Sequence, residues 1–265
     1  MKSAVTSGRS REATILDSLQ KKVLLITGSL GSLGRSAVQM FLERGASLFC
    51  CDRLSVNEYP DIERLGKEYG EQRVVFHQAD ASEENEVIAL IAALDSHYGR
   101  LDGVYHNVYT SVWKPAAELS LQEWESTIKG TMTSTFLISK YALPLMIRSG
   151  GGSIVNTSSV LGQILSPECS PYGTAKAGIN HFTRAVAQDY GRYGIRANVL
   201  VPGDFNSREG LTRQSEKEKA AILRNTWMGR SGTVEEVNEV AAFLLSDASS
   251  YVTGALYNVD GGFHQ

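Results

Sequence analysis

Short apolar runs alternate with stretches of helical spacing along almost the whole chain, and this alternation limits the possible folds more than any other feature. Residues 22–27 (KVLLIT) read as a buried strand that ends in a glycine-rich turn, Thr27-Gly28-Ser29-Leu30-Gly31-Ser32-Leu33-Gly34. Residues 35–44 then carry apolar side chains at helical intervals and stop at Gly45. Further strands are expected at 46–51, 74–77, 101–106, 153–157, 196–201 and 256–259, and helices at 84–98, 121–146, 172–190 and 235–245. Strand and helix in turn imply an α/β domain, a parallel sheet covered on both faces. Residues 204–228 break the regularity. They are long and charged and follow the carboxyl end of the sixth strand, so they read as a substrate lid, a solvated amphipathic helix, or both.

At 265 residues and 42% hydrophobic, the chain can bury one full core. A net charge of −3 and a pI near 6.0 disfavour nucleic acid and anionic membranes as partners. No apolar run approaches the roughly 18 residues of a membrane span. Three cysteines without ligand spacing fit a reducing cytoplasmic setting, with Cys50 and Cys51 as small buried hydrophobes facing opposite ways. The five histidines show no metal spacing, and no metal is expected. Residues 1–20 read as a flexible or docking extension ahead of a single domain at 21–265.

The chemistry lies in Ser159, Tyr172 and Lys176. Tyr172 and Lys176 are four apart, on one face of a helix. A phenol titrates near ~10, and an adjacent ammonium stabilises its phenolate, while a serine on another element can bond the oxygen that changes charge. With the glycine turn upstream to hold a dinucleotide, the set is suited to hydride exchange between a carbinol and a carbonyl. Asp52 follows Gly34 by eighteen residues, at the end of the second strand. There it can accept from both ribose hydroxyls and repel a 2′-phosphate, which favours NAD(H). Arg53 beside it could pair with that phosphate, leaving NADP(H) as the alternative. Asp80 reads as an acceptor for the adenine amino group or as a cap for the segment from Ser82. Asn107 reads as the floor beneath the ribose or as a turn amide. Tyr109, Trp113, Trp227 and Met228 read as a substrate pocket or as core, and Gln163 and Cys169 as further substrate contacts.

On these residues the chain resembles the short-chain dehydrogenase/reductase family from residue 21 to the C-terminus. The resemblance rests on the glycine turn, Asp80, Gly152-Ser153-Ile154-Val155-Asn156-Thr157-Ser158-Ser159, Tyr172-x-x-x-Lys176, Gly194-Ile195-Arg196-Ala197-Asn198, Pro202-Gly203 and Val259-Asp260-Gly261-Gly262. It implies a single doubly wound Rossmann-fold domain with a mostly parallel seven-stranded sheet. It also implies an NAD(H)-dependent oxidoreductase acting on a secondary alcohol or ketone. Tyr172 would be the general acid/base, Lys176 would lower its pKa and hold the nicotinamide ribose, and Ser159, thirteen before the tyrosine, would orient the carbonyl in preference to Ser158. Gly28, Leu30, Gly31, Leu33, Gly34 and Ala81 would face the cofactor. Backbone after Pro202-Gly203, near Phe205, and the Ser207 hydroxyl would hold the carboxamide. A homotetramer is implied, with a dimer second. Three positions depart from the family pattern. Ser32 replaces a glycine. The family's Asn-Asn-Ala-Gly reads His106-Asn107-Val108-Tyr109. Thr131 stands where the family places an asparagine that holds a relay water. The alternatives are a ring-diol dehydrogenase with an altered proton relay, or a catalytically weak dinucleotide-binding scaffold.

Overall fold

The computed structural model describes residues 18–58 and 61–264. Residues 1–17 of the expected extension therefore lie outside the described residues. In chain order the elements are β1 (Val23–Thr27), α1 (Ser32–Glu43), β2 (Ser47–Asp52), α2 (Asp61–Tyr69), β3 (Val74–Gln78), α3 (Glu84–Tyr98) and β4 (Gly103–His106). There follow α4 (Leu121–Ile128), a π-helical segment (Lys129–Thr133), α5 (Ser134–Arg148), β5 (Gly152–Thr157), α6 (Ser170–Tyr190) and β6 (Ile195–Pro202). The last part holds β7 (Phe205–Asn206), α7 (Arg208–Thr212), α8 (Glu216–Asn225), β8 (Gly232–Thr233), α9 (Val234–Leu245) and β9 (Leu256–Val259).

Seven strands form one sheet in the order β3-β2-β1-β4-β5-β6-β9, and every neighbouring pair is parallel. Because strand side chains alternate, the sheet feeds two cores. Leu24, Ile26, Leu48 and Cys50 pack with Ala37 and Phe41 of α1 and Val237 and Ala241 of α9. Leu25, Phe49, Cys51 and Val104 pack on the other face with Leu90 of α3, Ile138 of α5 and Val186 of α6. Each fully buried Leu or Phe stabilises the fold by about 1.5–3 kcal/mol. The order reverses between β1 and β4, so a crevice opens beyond their carboxyl ends. Gly28 follows β1 there and Asn107 follows β4.

The helix expected at 121–146 is interrupted. The hydroxyls of Ser134 and Thr135 bond back to the carbonyls of Gly130 and Thr131, and the chain widens into the π turn. Gly130 has no room for a side chain, because a Cβ there would overlap the Thr110 side chain. Residues 204–228 hold two helices, α7 and α8, capped by the hydroxyls of Ser207 and Ser215. Neither helix has a buried residue. No described helix is long and apolar enough to cross a membrane.

Candidate active site

The crevice is a cleft of about 250 Å³ between the glycine turn, the end of β5 and the start of α6. Gly28 adopts φ +67° and lies against the Asn107 backbone, a conformation that a side chain would strain. A Cβ on Gly34 would overlap the Gly28 carbonyl and come 2.7 Å from Ser29 Cα, so the start of α1 can close on the turn only through glycine. Gly31 caps α1 without a side-chain bond, which leaves the helix amino end open towards the cleft. Ser32, the departure from glycine, takes the first position of α1.

The end of β2 braces this turn. The Asp52 carboxylate accepts from Leu30 N at 3.0 Å and from Leu54 N at 3.1 Å. Arg53 and Asp80 lie along a second groove beside the cleft, with Glu83, Thr110 and Lys129. Asp80 accepts from both the amide and the hydroxyl of Ser82, at 2.8 and 2.7 Å, so it caps the segment leading into α3. Ala81 next to it is buried in the core.

At the floor, Thr157 donates to Asn107 Oδ1 at 2.6 Å, while the buried Asn107 Nδ2 has no partner. Lys176 is 2% exposed and donates to the Thr157 carbonyl at 2.8 Å. Burial pulls its ammonium down to about 7. One turn away on α6, Tyr172 is pushed above the ordinary phenol range by burial, and the bonded Ser159 hydroxyl opposes part of the rise. The Lys176 Nζ lies 5.5 Å from the Tyr172 ring centroid. Of the adjacent serines, Ser158 donates to the Lys176 carbonyl at 3.0 Å and so fixes α6, whereas Ser159 faces Tyr172.

Aromatic rings surround this pair. Tyr109 meets Tyr172 edge-on with centroids 5.9 Å apart and lies 5.7 Å from the Lys176 ammonium, and Trp113 lies 6.0 Å from Tyr172. Pro202, Gly203 and Phe205 close the far wall. Ser207 caps α7 by accepting from Gly210 N at 3.0 Å. Gln163 points elsewhere: its amide exchanges bonds of 3.3 and 3.1 Å with Asn258. Cys169 is buried just before α6, in an adjoining groove that Gln163 also lines. Trp227 and Met228 are exposed, and their amides donate to Gly262 and Gly261.

Two further residues enter the site's framework. His106 is 1% exposed, and its ring bridges Thr27 Oγ1 at 2.7 Å and Ser134 Oγ at 3.3 Å. Burial, then the nearby Lys176, hold its pKa down at about 3, so the ring is neutral. Thr131 is fully buried; its hydroxyl donates to the Thr110 carbonyl at 2.7 Å and accepts from the Thr110 amide at 2.9 Å. In the sequence His106 stands out only as the first residue of the departure from Asn-Asn-Ala-Gly, at the end of a strand beside Asn107, and nothing there gives its part in the framework.

The family model described as Enoyl-(Acyl carrier protein) reductase matches residues 28–264. The chain is 34% identical over 250 residues to the cis-4-hydroxycyclohexanecarboxylate dehydrogenase of Sinomonas cyclohexanicum, covering 93% of this chain and 98% of that one. It is 33% identical over 254 residues to a 2,5-dichloro-2,5-cyclohexadiene-1,4-diol dehydrogenase of Sphingobium indicum, covering 94% and 99%. A solved structure of a short-chain type dehydrogenase/reductase from Mycobacterium ulcerans superposes with a TM-score of 0.85 at 28% identity, covering 92% of this chain and 90% of that one.

Proposed function

Because the chain belongs to the short-chain dehydrogenase/reductase family, we propose that it is an NAD(H)-dependent oxidoreductase interconverting a secondary ring alcohol and its ketone. The observation that carries this reading is the Ser159–Tyr172–Lys176 group at the head of a glycine-floored cleft. The residues fit a dinucleotide: the turn is stripped of side chains at Gly28, Gly31 and Gly34, and the orphaned Asn107 amide at the floor is a donor in want of an acceptor. Asp52 retains lone pairs for ribose hydroxyls beside the two amides it already holds, and its charge repels a 2′-phosphate. Phe205 and the Ser207 hydroxyl remain the groups to hold the carboxamide. A bound nicotinamide supplies the hydride acceptor or donor.

The proton steps belong to the chain. In the oxidation direction Tyr172 takes the carbinol proton while Ser159 donates to the same oxygen. Burial disfavours the Tyr172 phenolate from which this step starts, so Lys176 in its ammonium form must offset that charge until the carbinol proton arrives. Lys176 is itself tied to the Thr157 carbonyl, which holds its head at the ring. Both named relatives carry six-membered-ring alcohols in their names, one a hydroxycyclohexanecarboxylate and the other a cyclohexadiene diol, and here Tyr109 and Trp113 set aromatic rings beside Tyr172. Six-membered-ring alcohols and diols therefore suit the site best. Association as a homotetramer, with a dimer second, belongs to the same reading.

The test is a panel of cyclohexanols, cyclic diols and linear secondary alcohols with NAD⁺ and NADP⁺, followed by absorbance at the reduced cofactor. Ring alcohols with NAD⁺ should give the highest kcat/KM. Dinucleotide binding without turnover on any member would instead leave a binding scaffold.

A further inference from the structure

We infer that Tyr109 is a fixed aromatic wall of the catalytic cleft that selects ring-shaped substrates, and that Thr131 holds it in place through Thr110. The inference rests on the oxidoreductase reading of the same site. Tyr109 touches both halves of the catalytic pair, edge-on to the Tyr172 ring and with its own face 5.7 Å from the Lys176 ammonium. Yet its side belongs to open space, since the residue is 60% exposed. It also borders both the catalytic cleft and the groove that runs past Asp80 and Arg53. A dinucleotide laid along the two would pass against this ring.

An exposed tyrosine at the end of a strand is normally free to turn among rotamers. Here the next residue is locked. Thr131 bonds both the amide and the carbonyl of Thr110 with one hydroxyl, and Gly130 presses on the Thr110 side chain so closely that no Cβ fits between them. The Thr131 carbonyl is occupied as well, accepting from Ser134 at 3.1 Å and Thr135 at 2.9 Å. The one proton of the Thr131 hydroxyl is spent on Thr110 and the Thr131 carbonyl already accepts twice, so the residue acts here through the backbone that it grips. It is a positioning residue for the segment that carries Tyr109.

The ring and its mooring can be separated by a double-mutant cycle. The variants are Tyr109→Gly, Thr131→Val, their combination, and Thr131→Ser, which keeps the hydroxyl. Two quantities are read: the NADH dissociation constant by fluorescence enhancement, and the ratio of kcat/KM for cyclohexanol to that for 2-octanol. Tyr109→Gly should raise the NADH Kd about fivefold and lower the ratio about tenfold. Thr131→Val should move both in the same direction by about threefold in the wild-type background and by less than about 1.5-fold in the Tyr109→Gly background. Thr131→Ser should restore wild-type values, and it stands in for Thr131→Val if that variant does not fold: with Ser, wild-type values are required. Losses that simply multiply in the double variant would overturn the mooring. NADH binding and a substrate ratio that ignore Tyr109→Gly would overturn the wall while leaving the oxidoreductase reading standing. A protein that keeps the NADH Kd effects but turns over no ring alcohol would sink that reading and the substrate selection together, and would leave only a moored ring beside the cofactor. Absence of NADH binding by the wild type would end both.

Discussion

At the scale of single residues, the proposed chemistry hangs on one hydroxyl. Tyr172→Phe keeps the ring that packs between Tyr109 and Trp113 and removes only the oxygen that meets Ser159. Turnover should fall by about 10²- to 10⁴-fold. The NADH Kd should stay within about twofold, since Lys176, which keeps its bond to Thr157, and the glycine turn are untouched. Steady-state rates and a fluorescence titration on the same preparation check both halves. Near-normal turnover would remove Tyr172 from the chemistry.

At the scale of elements, the strand edges fall within a residue or two of those expected from apolar runs, because strands buried on both faces have continuous signals. Helix α3 and strand β9 have the expected limits, both bounded by clear breaks such as Gly99, which takes the left-handed conformation that ends α3. Helix α2, by contrast, carries mainly charged residues and only three buried ones, and its pattern did not stand out. The π turn was not legible either. The back-bonds of Ser134 and Thr135 that widen it come with a contact to Thr110, twenty-one residues before Thr131, and apolar periodicity carries no record of either. For the same reason the sequence shows that Tyr109 replaces glycine without showing where the ring lies. That Ser159, Tyr172 and Lys176 lie together is legible because their spacing is local or nearly so. The join between β2 and the glycine turn supplies a prediction at this scale. Asp52→Ala should weaken NADH at least about tenfold and NADPH much less, narrowing the preference. It should also lower Tm by a few degrees, because the Leu30 and Leu54 amides lose a charged acceptor. Paired titrations and a melting curve check it, and an unchanged preference would transfer the discrimination to Arg53.

At the scale of the whole molecule, two buried bases tie stability to pH. His106 has its folded pKa near 3 against an ordinary 6.5, and Lys176 near 7 against 10.5. Both are depressed, so the unfolded chain binds more protons in each window and stability rises with pH through it. Acid therefore removes stability progressively from about 6.5 downward through His106. Between about 7 and 10.5 the Lys176 contribution grows with pH. His106→Asn leaves an amide able to meet Thr27 but abolishes the lower window. The urea midpoint should then fall less between pH 7 and pH 4.5 than it does for the wild type, and an equal fall would place the acid sensitivity elsewhere. The same histidine joins β1 to α5 through Thr27 and Ser134, so the glycine turn and the π turn are linked by one buried chain of bonds.

Asp52 also constrains how the protein could diverge. The carboxylate proposed to read the sugar is the one that pins the turn at Leu30. A lineage or an engineer exchanging it for an apolar or basic residue, neither of which offers an acceptor, changes discrimination and loosens the loop in one stroke. A basic residue at this position therefore calls for a second substitution that restores an acceptor for the Leu30 amide from elsewhere. Single-step swaps at this site should yield permissive, softened intermediates before they yield a protein with a new preference.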